Sequence, residues 1–249
     1  MSLITTDAIV LHVVPYLESS RILRLATREA GVLSVVARGA RSSKKRFGSG
    51  VDLFAEGQAQ IQVKPGRDLH ALTAFDVTRS RVGLAADLGR FTAASALVEC
   101  VLRVVHDEAA PRVYLGVAAG LDTIAEAAEG DTVALTLGVF WRLVSEVGFM
   151  PSLDRCAECQ AEIPIEADAR FSHVSGGVLC PLCAKMAPAS RRLPAAARAV
   201  IAAWIRGDQP NVEPADCRAH QRLLREFLTQ HLPDSRDLRA FGVWEQGRW

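Results

Sequence analysis

Two cysteine pairs constrain this chain more than any other feature. Cys156-Ala-Glu-Cys159 and Cys180-Pro-Leu-Cys183 are C-x-x-C units with 20 residues between them. Two residues between cysteines let both sulfurs grip one ion from a tight turn, and two such turns complete the tetrahedron that zinc prefers. Whatever the chain folds into must therefore bring these four side chains to one point. The intervening stretch offers Gly176-Gly177 for turning and little core of its own. Metal binding would supply the stability that so short a piece lacks. Four thiolates leave no open coordination position, so one structural Zn²⁺ per chain is expected, held by Cys156, Cys159, Cys180 and Cys183. A redox dithiol at Cys180-Pro-Leu-Cys183 is the rival reading, but it leaves the first pair unexplained. Disulfides suit an oxidising compartment.

The 249 residues predict one or two domains, with enough chain to bury a core without disulfides. At 49% hydrophobic and 23% charged residues, disorder over most of the length is excluded. The longest apolar segment, residues 83–105, is broken by Asp87, Arg90, Glu99 and Arg103, so no membrane span is expected. No signal peptide is recognisable, and the cytoplasm is the expected compartment. Net charge is only +1 but is unevenly spread: residues 1–80 carry 11 basic and 7 acidic side chains, residues 81–150 carry 5 and 9. Basic ends and an acidic middle suit contact with a polyanion at one end, although chance produces unevenness of this size.

The first 80 residues read as five strands: Ile4–Val14, ended by Pro15, then Arg21–Thr27, Val32–Ala37, Ala59–Val63 and Leu69–Phe75. Five short strands suit a small closed barrel, because closure removes the exposed edges. An SH3-like barrel or an open meander is the alternative. From residue 81 the period becomes helical. Phe91, Leu97, Val98, Val101, Leu102 and Val105 share one face; Pro111 opens a second helix; Asp131 caps a third over Thr132–Val147. Residues 151–190 lose the period and carry the cysteines. Helices resume from Leu193 to Arg206, ended by Gly207, and over about Pro214–His231. The expected fold class is α+β and multi-domain. An N-terminal barrel, 1–80, precedes an α-helical domain, 81–249, which is interrupted by the four-cysteine module, 151–190.

Five of the nine residues from Arg38 to Arg46 are basic: Arg38, Arg41, Lys44, Lys45 and Arg46; no acid occurs from Ala30 to Val51. Such a loop neutralises phosphates and releases counterions, and Phe47 beside it is placed to stack on a base. A solvated loop kept soluble by charge is the bland alternative. Arg191 and Arg192 extend the candidate track, whereas Arg218, Arg222 and Arg225 suit a solvated helix face. His173 reads as a surface histidine, Cys100 as a core thiol, and Cys217 has no partner at ligand spacing. The chain lacks G-x-x-x-x-G-K-[ST], G-x-G-x-x-G, G-x-S-x-G and H-E-x-x-H, which disfavours an enzyme. A zinc-dependent redox or nucleic-acid-processing enzyme stays the alternative class.

The stretch Ala8-Ile9-Val10-Leu11-His12, with Tyr16-Leu17-Glu18-Ser19-Ser20, Thr27-Arg28-Glu29-Ala30-Gly31 and Ala37-Arg38-Gly39-Ala40-Arg41, resembles the bacterial RecO family of recombination mediators. So does the order of barrel, helices and four-cysteine insertion, over essentially the whole chain. The resemblance implies an OB-fold barrel and a DNA repair protein without enzymatic turnover. Such a protein binds single- and double-stranded DNA and anneals complementary strands. With RecR it helps RecA displace the single-strand-binding protein SSB. It also implies residence in the cytoplasm at the nucleoid, and DNA contact by Arg38, Arg41, Lys44, Lys45 and Arg46.

Overall fold

The apolar run Ala8–Leu11 does not alternate with polar residues because both faces of its strand are buried. Ala8 and Val10 point into a barrel core with Leu23, Leu25, Val35, Ile61 and Phe75. Ile9 and Leu11 point outward into the core of the helical region, joined by Ala26, Val32 and Phe54. The barrel is thus packed on one side against helices, and its first strand serves two cores. A computed structural model describes residues 2–40, 44–47, 51–105, 108–128, 130–232 and 238–247; the side chains of Lys44 and Lys45 are outside that description.

Five strands close the barrel: β1 (Ser2–Tyr16), β2 (Ser20–Thr27), β3 (Gly31–Ala37), β4 (Glu56–Val63) and β5 (Leu69–Arg79). Their order is β1-β2-β3-β5-β4, with β1 also paired to β4. All pairs are antiparallel except β3 with β5. This is the Greek-key closure of an OB-fold. The first strand runs through Pro15 to Tyr16, two residues past the expected end at Val14, because its last residues still pair with Ser20–Ile22. A short helix, α1 (Lys44–Phe47), lies in the β3–β4 connection.

The helical region holds α2 (Gly83–Ala86), α3 (Leu88–Val104), α4 (Pro111–Glu126) and α5 (Thr132–Glu146). After the cysteine segment come α7 (Ala195–Arg206), α8 (Pro214–His231) and α9 (Arg239–Gln246). The expected helices are present, with two differences. Asp131 makes no side-chain cap on α5: its backbone is already helical, so its carboxylate cannot reach back to the first amides. And α9, unmarked in the reading of the sequence, buries Phe241 and Trp244 fully. Trp244 stacks on Phe140 at 5.5 Å between centroids, and Phe241 meets Phe140 edge-on at 5.3 Å. The first amides of α9 are satisfied from afar. Both carboxylate oxygens of Glu99 accept backbone N–H groups, from Arg239 at 2.9 Å and Phe241 at 3.0 Å.

A network centred on one side chain clasps barrel and helices. The side chain of Arg81, in the connection after β5, is 2% exposed. Its Nη2 meets Glu56 of β4 and its Nε meets Asp122 of α4, each at 2.7 Å. Nη1 donates to the Phe54 carbonyl at 3.0 Å. The Tyr114 hydroxyl donates to the other oxygen of Glu56 at 3.0 Å, and Arg79 also pairs with Asp122. Every arm of the fork has an acceptor, which offsets the cost of removing the charge from water.

Deleting one partner of such a network strands the others. Arg81→Ala is expected to lower the unfolding free energy by about 3–5 kcal/mol, read by denaturant titration; Arg81→Lys, which keeps the charge and loses the fork, should fall between. A second expectation concerns His220 of α8, which is buried and meets the Trp204 ring edge-on at 4.9 Å. Burial pulls its pKa down to about 4 against an opposing pull from Asp216. The unfolded histidine, at about 6.5, takes up a proton first. Stability should therefore be full above pH ~6.5 and fall as pH drops towards ~4, by up to about 3 kcal/mol, with His220→Gln flattening that part of the profile.

Candidate metal centre and nucleic-acid interface

The cysteine segment folds as a three-stranded sheet in the order β7-β6-β8: β6 (Ala169–Ser172), β7 (Gly177–Leu179) and β8 (Arg191–Leu193). One six-residue helix, α6 (Pro181–Met186), follows β7. The two glycines act differently. Gly176 takes the turn, with φ +73°; Gly177 permits close approach, since a Cβ there would lie 2.5 Å from the Ser152 carbonyl oxygen. That approach pairs Ser152 with Gly177 and brings Cys156 beside β7. The Ala157 amide donates to the Val178 carbonyl at 2.8 Å. The first cysteine turn is closed by Gln160, whose amide donates to the Cys156 carbonyl at 2.9 Å and whose φ is +62°. The second is a helix start. Cys180 is the N-cap of α6, its sulfur accepting the Cys183 amide at 3.5 Å, with Pro181 at the first helical position.

These two turns place the four Sγ atoms within 4.8 Å of one another, with Cys159 and Cys180 at 3.7 Å. A tetrahedral zinc with bonds of about 2.3 Å has sulfurs about 3.8 Å apart, so the donor set fits that ion with little adjustment. None of the described cysteines is in a disulfide. The sulfurs also differ in their readiness to ionise. Burial raises the Cys156 thiol, but amides of Cys159, Cys180 and Glu158 aimed at its sulfur outweigh that and bring it down to about 6. The Cys183 amide lowers Cys180 in the same way. Hydrogen bonding to Cys180 and Cys159 pushes Cys183 up to about 12. Four adjacent thiolates repel unless a cation joins them, and the arrangement can therefore hold a metal ion.

The segment is less separate than its composition suggests. Phe171, Val178, Leu179 and Leu193 belong to the same buried cluster as α3, α5, α7 and α8. Arg198 of α7, itself fully buried, donates to the Pro164 carbonyl and pins the loop before β6. The core is shared with the helices rather than absent.

On the barrel, the basic connection between β3 and β4 is partly described. Arg38 and Arg46 are exposed. Arg46 donates to the Arg38 carbonyl at 3.0 Å, which folds the connection back on itself. Arg41 lies outside the described residues, and Lys44 and Lys45 are placed only by their backbone in α1. Phe47 corrects an expectation: it is 0% exposed, a member of the barrel core, and cannot stack on a base. Its ring anchors α1, with the Arg46 guanidinium 5.3 Å from the ring centre. Arg191 and Arg192 stand on β8, exposed and each paired with an acid: Arg191 with Glu226 at 3.0 Å, and Arg192 with Asp168. Their charge is partly compensated, unlike that of an acid-free loop.

His173 is not a surface histidine. Its Nε2 lies 3.0 Å from Glu226 with the side chain largely buried, and burial lowers its pKa. Cys100 is a core thiol as read, its pKa raised by burial. Cys217 is buried too, with its sulfur 4.0 Å from the Val212 carbonyl oxygen. Arg225 pairs with Glu245 of α9 at 2.8 Å, while Arg218 and Arg222 stay exposed as expected. No described helix is long and apolar enough to cross a membrane.

Comparison with known proteins agrees with this architecture. The family model for the recombination protein O N terminal matches residues 1–81, and the one for the recombination protein O C terminal matches residues 85–239. A DNA repair protein RecO of Anaeromyxobacter sp. (strain K) is 34% identical over 242 residues, covering 93% of this chain and 92% of the relative. The protein of the same name from Thermobifida fusca is 32% identical, covering 93% and 95%. That of Symbiobacterium thermophilum is 34% identical over 84% and 82%. With a barrel, helices and cysteine module in this order and both family models matched in succession, the chain belongs to the RecO family.

Proposed function

We propose that this chain is a DNA repair and recombination mediator that works by binding rather than by catalysis. In this reading residues 1–80 bind single- and double-stranded DNA, and residues 81–249 carry the partner surfaces. The chain anneals complementary strands and, with RecR, helps load RecA onto single strands coated by SSB. The observation that carries the reading is the β3–β4 connection. It stands on a closed OB-type barrel, exposes Arg38 and Arg46, and adds Arg41, Lys44 and Lys45 within a stretch free of acids. Family membership supports it, since the relatives are named DNA repair proteins. Annealing follows from the same charge: cations that neutralise two phosphate backbones at once let strands meet that would otherwise repel. Phosphates carry no sequence, so binding should be indifferent to base order. Arg191 and Arg192 are secondary contacts, available once a phosphate displaces their acids.

We assign the four sulfurs to a structural zinc, one per chain. When bound, that ion cross-links the two turns and leaves no open position for a substrate. Cys156 and Cys180 enter most readily as thiolates, and Gly177 and Gln160 shape the turns that hold them.

Zinc is expected to copurify at one equivalent, measured by elemental analysis. Cys156→Ser should release it and open residues 151–190 to protease. Because Phe171, Val178 and Leu193 share the helical core, the melting temperature should fall as well, while the barrel keeps its strand signal in circular dichroism. Native protein free of metal would overturn the assignment. For the loop, changing Arg41, Lys44 and Lys45 together to Ala should weaken single-strand binding. At about 0.7 per phosphate, the slope of log affinity against log salt should drop by roughly 2, and annealing should fall with it. Unchanged binding, annealing and slope would move the DNA surface elsewhere.

A further inference from the structure

The four clustered sulfurs are not equally placed. Cys156 is buried, Cys180 and Cys183 are half-buried, and Cys159 is exposed. Cys100 and Cys217 lie in the helical core, out of reach of a reagent arriving from water. A solvent-borne oxidant therefore meets Cys159 first, since access governs which thiol reacts. The Sγ of Cys180, from the other turn, stands 3.7 Å from that of Cys159. A disulfide is about 2.05 Å long, so a modest rotation of the two side chains joins them.

The two turns are also anchored unequally. The first is tied into the sheet: the Cys156 amide donates to the Ala161 carbonyl at 2.8 Å and the Ala157 amide to the Val178 carbonyl at 2.8 Å. The second turn opens α6, none of whose six residues is buried. Leu182 and Met186 point to solvent, and the inward side of the helix offers only half-buried Cys183 and Ala184. A helix so short does not persist alone in water. Its firmest tie to the first turn is thus the ion shared by Cys180 and Cys183 with Cys156 and Cys159.

We propose that the cysteine cluster is an oxidation-sensitive latch: a hydroperoxide joins Cys159 to Cys180 in a disulfide, the cluster gives up its zinc, and α6 is released. The proposal rests on the zinc assignment above and adds regulation to it. The Cys159 thiolate attacks one peroxide oxygen; the O–O bond breaks, a sulfenic acid forms and hydroxide leaves. The Cys180 thiolate then displaces a second hydroxide from that sulfur as the S–S bond forms. The two sulfurs give up two electrons, hydrogen peroxide takes them, and with two protons it becomes two waters. Cys156 and Cys183 remain as ligands, half of the set that a structural zinc requires. A thiol reductant reverses the bond.

The test exposes the full zinc-loaded chain to hydrogen peroxide. Free zinc is read with a colorimetric chelator, disulfides by peptide mass mapping, and release of α6 by trypsin cleavage after Lys185 within it. One equivalent of zinc should be lost per disulfide formed, the bond should join Cys159 to Cys180, and cleavage after Lys185 should quicken. Dithiothreitol with added zinc should restore the starting state. Cys159→His keeps a zinc ligand without an oxidisable sulfur, and should hold its metal and resist trypsin under the same exposure. Cys180→His should stop at the sulfenic acid of Cys159, which dimedone traps. Zinc retained by the parent, a bond within one turn (Cys156 to Cys159, or Cys180 to Cys183), or unchanged cleavage after Lys185 would each overturn the latch. If neither variant folds, bond mapping and cleavage of the parent decide alone. A chain that purifies without zinc refutes the metal assignment instead, and the bond map still decides whether Cys159 meets Cys180.

Discussion

The guanidinium of Arg81 is the point on which the two halves of the molecule turn. It sits in the short connection between the last barrel strand and α2, and it contacts β4, α4 and the carbonyl before β4 at once. A buried charge of this kind tolerates little movement, because each lost acceptor leaves it uncompensated. The barrel is therefore held in a fixed pose rather than tethered. That pose creates a cleft between β1–β2 and α3, and it sets Ile9 and Leu11 into the helical core. Part of the barrel side that faces α3 and α4 is covered, whereas Arg38 and Arg46 of the β3–β4 connection stay exposed.

Much of this was legible in the sequence, and the reasons are local. All five strands announced themselves by alternation or β-branched runs, and the helices at Pro111, Thr132, Ala195 and Pro214 by period and punctuation. The cysteine spacing gave the meeting of four sulfurs because a C-x-x-C turn is a local geometry repeated twice. What escaped was set by distant partners. Phe47 reads as an aromatic at the end of a basic loop; only barrel closure shows that it is swallowed by the core. His173 reads as isolated until α8 places Glu226 against it. The Nε of Arg24, without a hydrogen-bond partner among the described residues, has no signature at all, since β2 alternates there as any strand would. The cysteine segment looked poor in core because its apolar residues are few, yet those few are packed among helices on either side of it in sequence.

The two candidate sites differ in how they are built. The sulfur cluster is preorganised by turns that amides and glycine geometry enforce, with Gly177 against Ser152 and Cys180 at the head of α6. The basic connection is tied down at only a few points: Phe47 in the core and Arg46 on the Arg38 carbonyl. A structural ion needs fixed ligands, whereas phosphates spaced along a strand are met by long side chains that can adjust.

The capping of α9 by Glu99 has a consequence for how the chain folds. The carboxylate and the amides it receives are 140 residues apart for Arg239 and 142 for Phe241. An eight-residue helix is too short to persist alone in water, so α9 cannot nucleate locally. It must wait until α3 is in place and the chain between has been made. Until then Phe140 and its neighbours on α5 lack the aromatic cover that Phe241 and Trp244 supply. Docking of α9 is therefore expected to come late in folding, after α3 and α5 have formed the surface it covers.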